Sequence, residues 1–269
     1  FAVFKVSGLS SNALLEKVST SLAGGKSLSQ SEQIAWERVQ KRVRTLCEAT
    51  AQAGGRVMID AEESWIQDAI DELAEDMMSD YNRGRVVVYN TVQLYRHDRL
   101  DYLKNMASRA EEGGYMCGVK LVRGAYMEKE RQRASNLGYP SPIQPDKASS
   151  DRDFDAALRW VLHRIEKLHL VAGSHNEDSN LKLCKWMAEA GLQPSDERVS
   201  FAQLLGMSDP VTFNLAARGY NVAKYVPYGP IREAIPYLIR RAQENTSVSG
   251  QMSRELELLR REQTRRMGS

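Results

Sequence analysis

Cysteine is scarce and poorly placed for cross-linking. Cys47, Cys117 and Cys184 are odd in number, widely spaced and form no CxxC pair, which excludes a disulfide framework and fits reduced thiols in a reducing compartment. Histidine is nearly as scarce. The sequence places His97, His163 and His169 in helical stretches or at helix ends and leaves His175 alone at a strand end, which is too little for a catalytic metal centre. No GxSxG elbow, phosphate loop or GxGxxG is present, so a serine triad, a P-loop and a Rossmann fingerprint are all closed options. A net charge of +2 gives no global pull toward nucleic acid or membrane. No apolar run approaches the roughly 18 residues of a membrane span, and the opening Phe1-Ala-Val-Phe-Lys-Val6 has neither the charged start nor the long apolar run of a signal peptide. That opening has no methionine and reads as the inside of a strand, so the chain is expected to be part of a longer one.

What is present is a large potential core. Hydrophobic residues make up 42% of 269, a length that suits one α/β barrel domain of about 250 residues. Seven β-branched runs at 2–6, 56–60, 85–90, 116–122, 170–174, 199–202 and 221–226 are mostly continuous rather than alternating, as in parallel strands buried on both faces. Amphipathic stretches at 64–81, 96–112, 151–168, 178–190 and 209–218 lie between them, and strand-helix alternation means α/β. Residues 10–55 read as a helical insertion broken at Gly24-Gly25, and 247–267 as a C-terminal helix. The proline-bearing segment 136–150 reads as a mobile loop over a site. The whole is expected to be a single domain, 1–269.

Polar residues gather where the strands end: Lys5, Asp60, Asn90 with Gln93, Lys120 with Arg123, His175-Asn176, Gln203 and Tyr225. Turn formation explains the asparagines and the aspartate; it explains lysine, arginine, histidine and tyrosine less well. In a barrel these ends converge on the mouth that carries the active site. A helix over 237–244 would also stack Tyr237, Arg240, Arg241 and Glu244 on one face. The adjacent guanidiniums suit a carboxylate or phosphate, although the same spacing suits an exposed, salt-bridged face. Lys5, Arg240 and Arg241 fit an anionic substrate, while Lys120, Arg123, Gln93, His175 and Asn176 fit a heteroaromatic ring edge or a pyrophosphate.

Six segments carry a resemblance. Ile59-Asp-Ala-Glu-Glu63, Val119-Lys-Leu-Val-Arg-Gly-Ala-Tyr126, Ser174-His-Asn176, Leu204-Leu-Gly-Met207, Tyr225-Val-Pro-Tyr-Gly229 and Tyr237-Leu-Ile-Arg-Arg-Ala-Gln-Glu-Asn245 resemble, in order, proline dehydrogenases of the monofunctional, mitochondrial-type branch. The resemblance implies a distorted TIM-type (βα)8 barrel that binds FAD and oxidises L-proline to Δ1-pyrroline-5-carboxylate by hydride transfer, with electrons passed to a quinone. Arg240, Arg241 and Lys5 would clamp the proline carboxylate. Tyr237 and Tyr225 would pack on the ring, Leu204 would add apolar contact, and Asp60 would orient the basic network. Gln93, Lys120, Val122, Arg123, Gly124, Ala125, Tyr126, His175, Asn176, Gln203 and Glu244 would surround FAD, with Arg241 reaching both ligands. Lys120 stands where relatives carry arginine. Relatives specialised for hydroxyproline have a smaller residue at the Tyr225 position, so proline is the expected substrate.

A closed barrel of this class has eight strands, and the sequence offers seven. The resemblance places the missing one first, carrying a glutamate partner for Arg240, upstream of Phe1 or on a separate N-terminal fragment. It also implies a peripheral membrane contact and no nucleic-acid partner. Location divides between the bacterial cytoplasm or membrane periphery and the matrix side of the mitochondrial inner membrane. Two other readings stay open: a Schiff-base aldolase using Lys5 or Lys120, and a binding module built on the basic helix 254–266.

Overall fold

The apolar runs form seven strands: β1 (Ala2–Lys5), β2 (Val57–Asp60), β3 (Val88–Gln93), β4 (Cys117–Val122), β5 (Leu168–Gly173), β6 (Val199–Leu204) and β7 (Val222–Tyr225). Between them lie α1 (Asn12–Leu22), α2 (Gln30–Gln52), α3 (Ser64–Tyr81), α4 (Arg99–Gly113), α5 (Met127–Leu137), α6 (Lys147–Leu162), α7 (Glu177–Glu189) and α8 (Asp209–Ala217). The computed structural model describes residues 1–229, 231, 232, 235, 239, 260, 261 and 263–267. Most of the expected C-terminal helix lies outside them, as do Tyr237, Arg240, Arg241 and Glu244.

Sheet order follows chain order, β1 through β7, and the pairings from β1 to β6 are all parallel. One or two helices cross between successive strands, which is the connectivity of a (βα)-barrel. Among the described residues there are seven strands. The chain divides into two compact units, one of residues 1–202 and 210–223, the other of 203–209 and 224–269.

Strand alternation sorts the first unit into two faces. Ile59, Val88, Val119, Leu121, Leu170 and Ala172 join the large core with Ile66, Ile70, Leu73 and Met77 of α3. Met58, Tyr89 and Val171 form a smaller apolar cluster on the opposite face. Asp60, Thr91, Gln93 and Lys120 share the parity of that second cluster, so they stand beyond it toward the strand ends. Asn90 has the other parity. It donates to Asp71 Oδ1 and to the Tyr102 hydroxyl, both at 2.9 Å, inside a buried network with Arg99. The expectation of Asn90 at the mouth is therefore corrected: it bonds the sheet to α3 and α4.

Other boundaries move for local reasons. Residues 85–87 precede β3 rather than open it, because the fully buried Asn82 side chain takes the place of a strand neighbour. Its Oδ1 accepts from the Val87 and Val88 amides at 2.9 Å, and its Nδ2 donates to the Val88 and Met116 carbonyls at 2.8 and 3.0 Å. Residues 163–167 turn instead of continuing α6, and His169 lies in β5, not in a helix. Burial, then the nearby Arg56, pushes the His169 ring down to about 4. The segment 136–150 is partly helical at both ends, and Arg96 bridges to Ile143 within it. The break at Gly24-Gly25 is present: Gly24 adopts a φ of 82°, and Ser29 with Glu32 forms a capping box that restarts the chain as α2.

Candidate active site

Three strand ends bring charges together. Parallel register sets Lys5 of β1 beside Asp60 of β2, and Lys120 of β4 reaches the same carboxylate across Thr91 of β3. Lys120 Nζ donates to Asp60 Oδ1 at 2.6 Å, and Lys5 Nζ lies 3.2 Å from Oδ2. Asp60 and Lys120 are both buried, whereas the Lys5 side chain is 37% exposed. Burial pushes the Asp60 carboxyl up, but Lys120 and then Lys5 more than offset it, so it sits below the usual carboxylate range. Lys5 also faces the Tyr126 ring at 5.9 Å. The geometry holds one solvent-reachable ammonium over a buried ion pair, an arrangement suited to receiving an anionic group.

The β3 and β4 ends continue as a paired ribbon, with the Leu94 amide bonded to the Val122 carbonyl and the Tyr95 amide to the Arg123 carbonyl, both at 2.8 Å. Gln93 is 2% exposed, and its Oε1 is buried without a hydrogen-bond partner among the described residues. Beside it Gly124 has a φ of 145°, and a Cβ there would fall 2.4 Å from the Tyr95 ring, so this turn requires glycine. Val122 and Tyr126 are half-buried, and Gly124 and Ala125 are exposed.

Arg123 is held on every side. Its Nε donates to Asp151 Oδ1 at 2.5 Å, and its two terminal nitrogens donate to Ser174 Oγ and Ser179 Oγ at 2.9 Å. The guanidinium stacks 4.3 Å from the Phe154 ring centroid. Asn176 is the N-cap of α7, its Oδ1 accepting from the Ser179 amide at 3.0 Å. That bond supplies the turn-forming explanation for Asn176. His175 is half-buried between Ser174 and this cap. Sequence reasoning missed Asp151, Ser174, Ser179 and Phe154, whose residue types carry no signal until α6 and α7 are placed beside Arg123.

Gln203, Leu204 and Tyr225 belong to the second unit. Gln203 and Leu204 are the last residues of β6, two beyond the strand expected from sequence; Gln203 is buried and Leu204 half-buried. Tyr225 ends β7 half-buried, and its carbonyl accepts from the Leu205 amide at 3.0 Å. Lys224, which sequence reasoning also passed over, donates to the Met207 carbonyl and to Asp209 Oδ1, each at 2.7 Å, and so shapes the 204–209 loop. Among the described residues no group of three or more histidine, cysteine or acidic side chains is arranged to hold a metal.

The family model for proline dehydrogenase matches residues 5–254. The chain belongs to the proline dehydrogenase family. It is 39% identical over 241 residues to human "proline dehydrogenase 1, mitochondrial", covering 88% of this chain and 40% of the human protein. It is 42% identical over 216 residues to the "hydroxyproline dehydrogenase" of Xenopus laevis, covering 79% of this chain and 46% of that protein. The chain thus spans less than half the length of these two relatives. Its fold matches the crystal structure of proline utilization A from Bdellovibrio bacteriovorus, inactivated by N-propargylglycine, at a TM-score of 0.79 and 22% identity, over 91% of this chain and 24% of that one. The architecture is that of a distorted TIM-type barrel.

FAD is the cofactor this family implies, and the residues present fit it. Among the described residues the Gln93 carbonyl oxygen lacks a donor of the kind a flavin ring edge offers, and Arg123 and Lys120 supply positive charge.

Proposed function

We propose that this chain oxidises L-proline to Δ1-pyrroline-5-carboxylate with FAD, passes the electrons to a quinone and serves proline catabolism. The observation that carries the reading is the Lys5-Asp60-Lys120 cluster, drawn from β1, β2 and β4 of a proline dehydrogenase family chain. In this reading Lys5, Arg240 and Arg241 hold the substrate carboxylate, Asp60 fixes Lys5 through its second oxygen, and Tyr225, Tyr237 and Leu204 wall the ring. Gln93, Lys120, Val122, Arg123, Gly124, Ala125, Tyr126, His175, Asn176, Gln203, Arg241 and Glu244 hold the cofactor. Bound FAD supplies a two-electron acceptor. The substrate nitrogen gives up a proton, the adjacent ring carbon gives up a hydride, and the C–N single bond becomes C=N. Fixing the carboxylate sets the distance of that carbon, a positioning effect of several kcal/mol. The aldolase alternative finds no support in the family.

The reading extends to a single domain with a helical insertion at 10–55 and a C-terminal helix at 247–267, and to action at a membrane periphery, bacterial or on the matrix side of the mitochondrial inner membrane. No helix among the described residues is long and apolar enough to cross a membrane.

Anaerobic titration of the FAD-loaded protein tests the function. L-proline should bleach the flavin absorbance, and trans-4-hydroxy-L-proline should do so far more weakly because Tyr225 crowds a ring hydroxyl. No bleaching by either compound overturns the reading. Equal bleaching by both overturns the assignment of Tyr225, a point sharpened by the hydroxyproline dehydrogenase relative.

A further inference from the structure

Helix α3 begins without a cap of its own. Its N-cap residue, Glu63, makes no capping hydrogen bond; the Glu63 carboxylate instead accepts from Lys129 Nζ at 2.8 Å. The cap comes from another helix. Glu130 of α5, wholly buried, accepts from the Ser64 backbone amide and from the Ser64 hydroxyl, each at 2.6 Å. A carboxylate in this place satisfies a terminal helix amide and meets the positive end of the helix dipole.

The two segments joined by this contact are those that flank Lys5. Asp60, its ion-pair partner, lies four residues before Ser64. Tyr126, whose ring faces Lys5 Nζ, is the N-cap of α5, and its carbonyl accepts from the Glu130 amide at 2.9 Å. The neighbours of Glu130 reinforce the joint. Lys129 lies 5.6 Å from the Tyr126 ring centroid, and Arg133 pairs with Glu16 of α1 while stacking 4.4 Å from the Trp65 ring. One face of α5 is thus spent on docking to α1 and the start of α3.

We propose that Glu130 is a positioning residue, fixing the 122–126 segment against the 60–63 loop so that the lysine cluster and the cofactor-facing turn keep one geometry; its kinetic consequence rests on the proposed function. Glu130→Ala should speed amide exchange in peptides spanning 61–66 and 122–128 while leaving the β5 and β6 peptides unchanged. It should also raise both the flavin dissociation constant and the KM for L-proline about tenfold, with kcat within about twofold. Glu130→Gln should restore most of this, because its amide oxygen still accepts from the Ser64 amide and its nitrogen donates to the hydroxyl. Ser64→Ala, which keeps the backbone donor, should shift the same two peptides by less, and it carries the test if Glu130→Ala does not fold. Unchanged exchange at 122–128 would overturn the proposal. So would a lowered Tm with unchanged flavin affinity and KM. Failure of the wild type to bleach with L-proline strikes the functional reading alone, since the exchange measurement decides the coupling without it.

Discussion

Asp60 is the residue on which the local electrostatics turn. Its folded-state pKa is depressed by Lys120 and Lys5 against an opposing burial effect, so its contribution to stability is present above the ordinary aspartate pKa of about 3.9 and is lost as pH falls through the folded value. Asp60→Asn should remove that acid limb from a plot of Tm against pH. At neutral pH it should destabilise the fold by about 3 kcal/mol, because Lys120 is left buried against an amide. Gly124 makes a different demand. Gly124→Ala should weaken flavin binding by about 1–3 kcal/mol through backbone strain and contact with Tyr95, measurable as fluorescence quenching on cofactor titration. Lys5, Asp60, Gln93 and Lys120 were legible as strand-end polar residues because strand parity sets them on one face. Asn90 was not: with β3 running on to Gln93, residue 90 sits mid-strand, where its parity turns it to the helix-covered face.

Among the elements, α6 and α7 act on the site through Arg123. Asp151 of α6 and Ser179 of α7 take two of its donors, and Ser174 at the end of β5 takes a third. Lysine cannot reproduce that fork. Arg123→Lys should lower flavin affinity about tenfold and leave one or both of the buried Ser174 and Ser179 hydroxyls without its donor, at about 1 kcal/mol each, read as a lower Tm alongside a weaker cofactor titration. Element types were largely legible: the 3.6-residue period fixed α3 at its observed bounds, and continuous apolar runs marked all seven strands. Helix α5 escaped notice because only Glu130 and Ala134 are buried along it. Its docking face is made of charged side chains, which an apolar period cannot reveal.

Across the described residues, chain order and sheet order coincide, so every strand but the end ones is flanked by its sequence neighbours. That regularity made the α/β class readable from alternation alone. The proposed carboxylate clamp, Arg240 and Arg241, which the sequence spacing would stack on one helix face, falls outside the described residues, and its part in the reaction stays with the flavin experiments. The chain's match to 40% of the human relative makes those experiments most informative on this chain itself. Asn82 carries a warning for a different kind of experiment. It occupies four backbone groups from a fully buried position outside the proposed site, and even the isosteric Asn82→Asp would set a carboxylate oxygen against two carbonyls. A saturation-mutagenesis map scored on growth or activity would therefore rank position 82 with the site residues. Selection for function and selection for foldability would look alike there, and only a parallel screen for protein abundance would separate them.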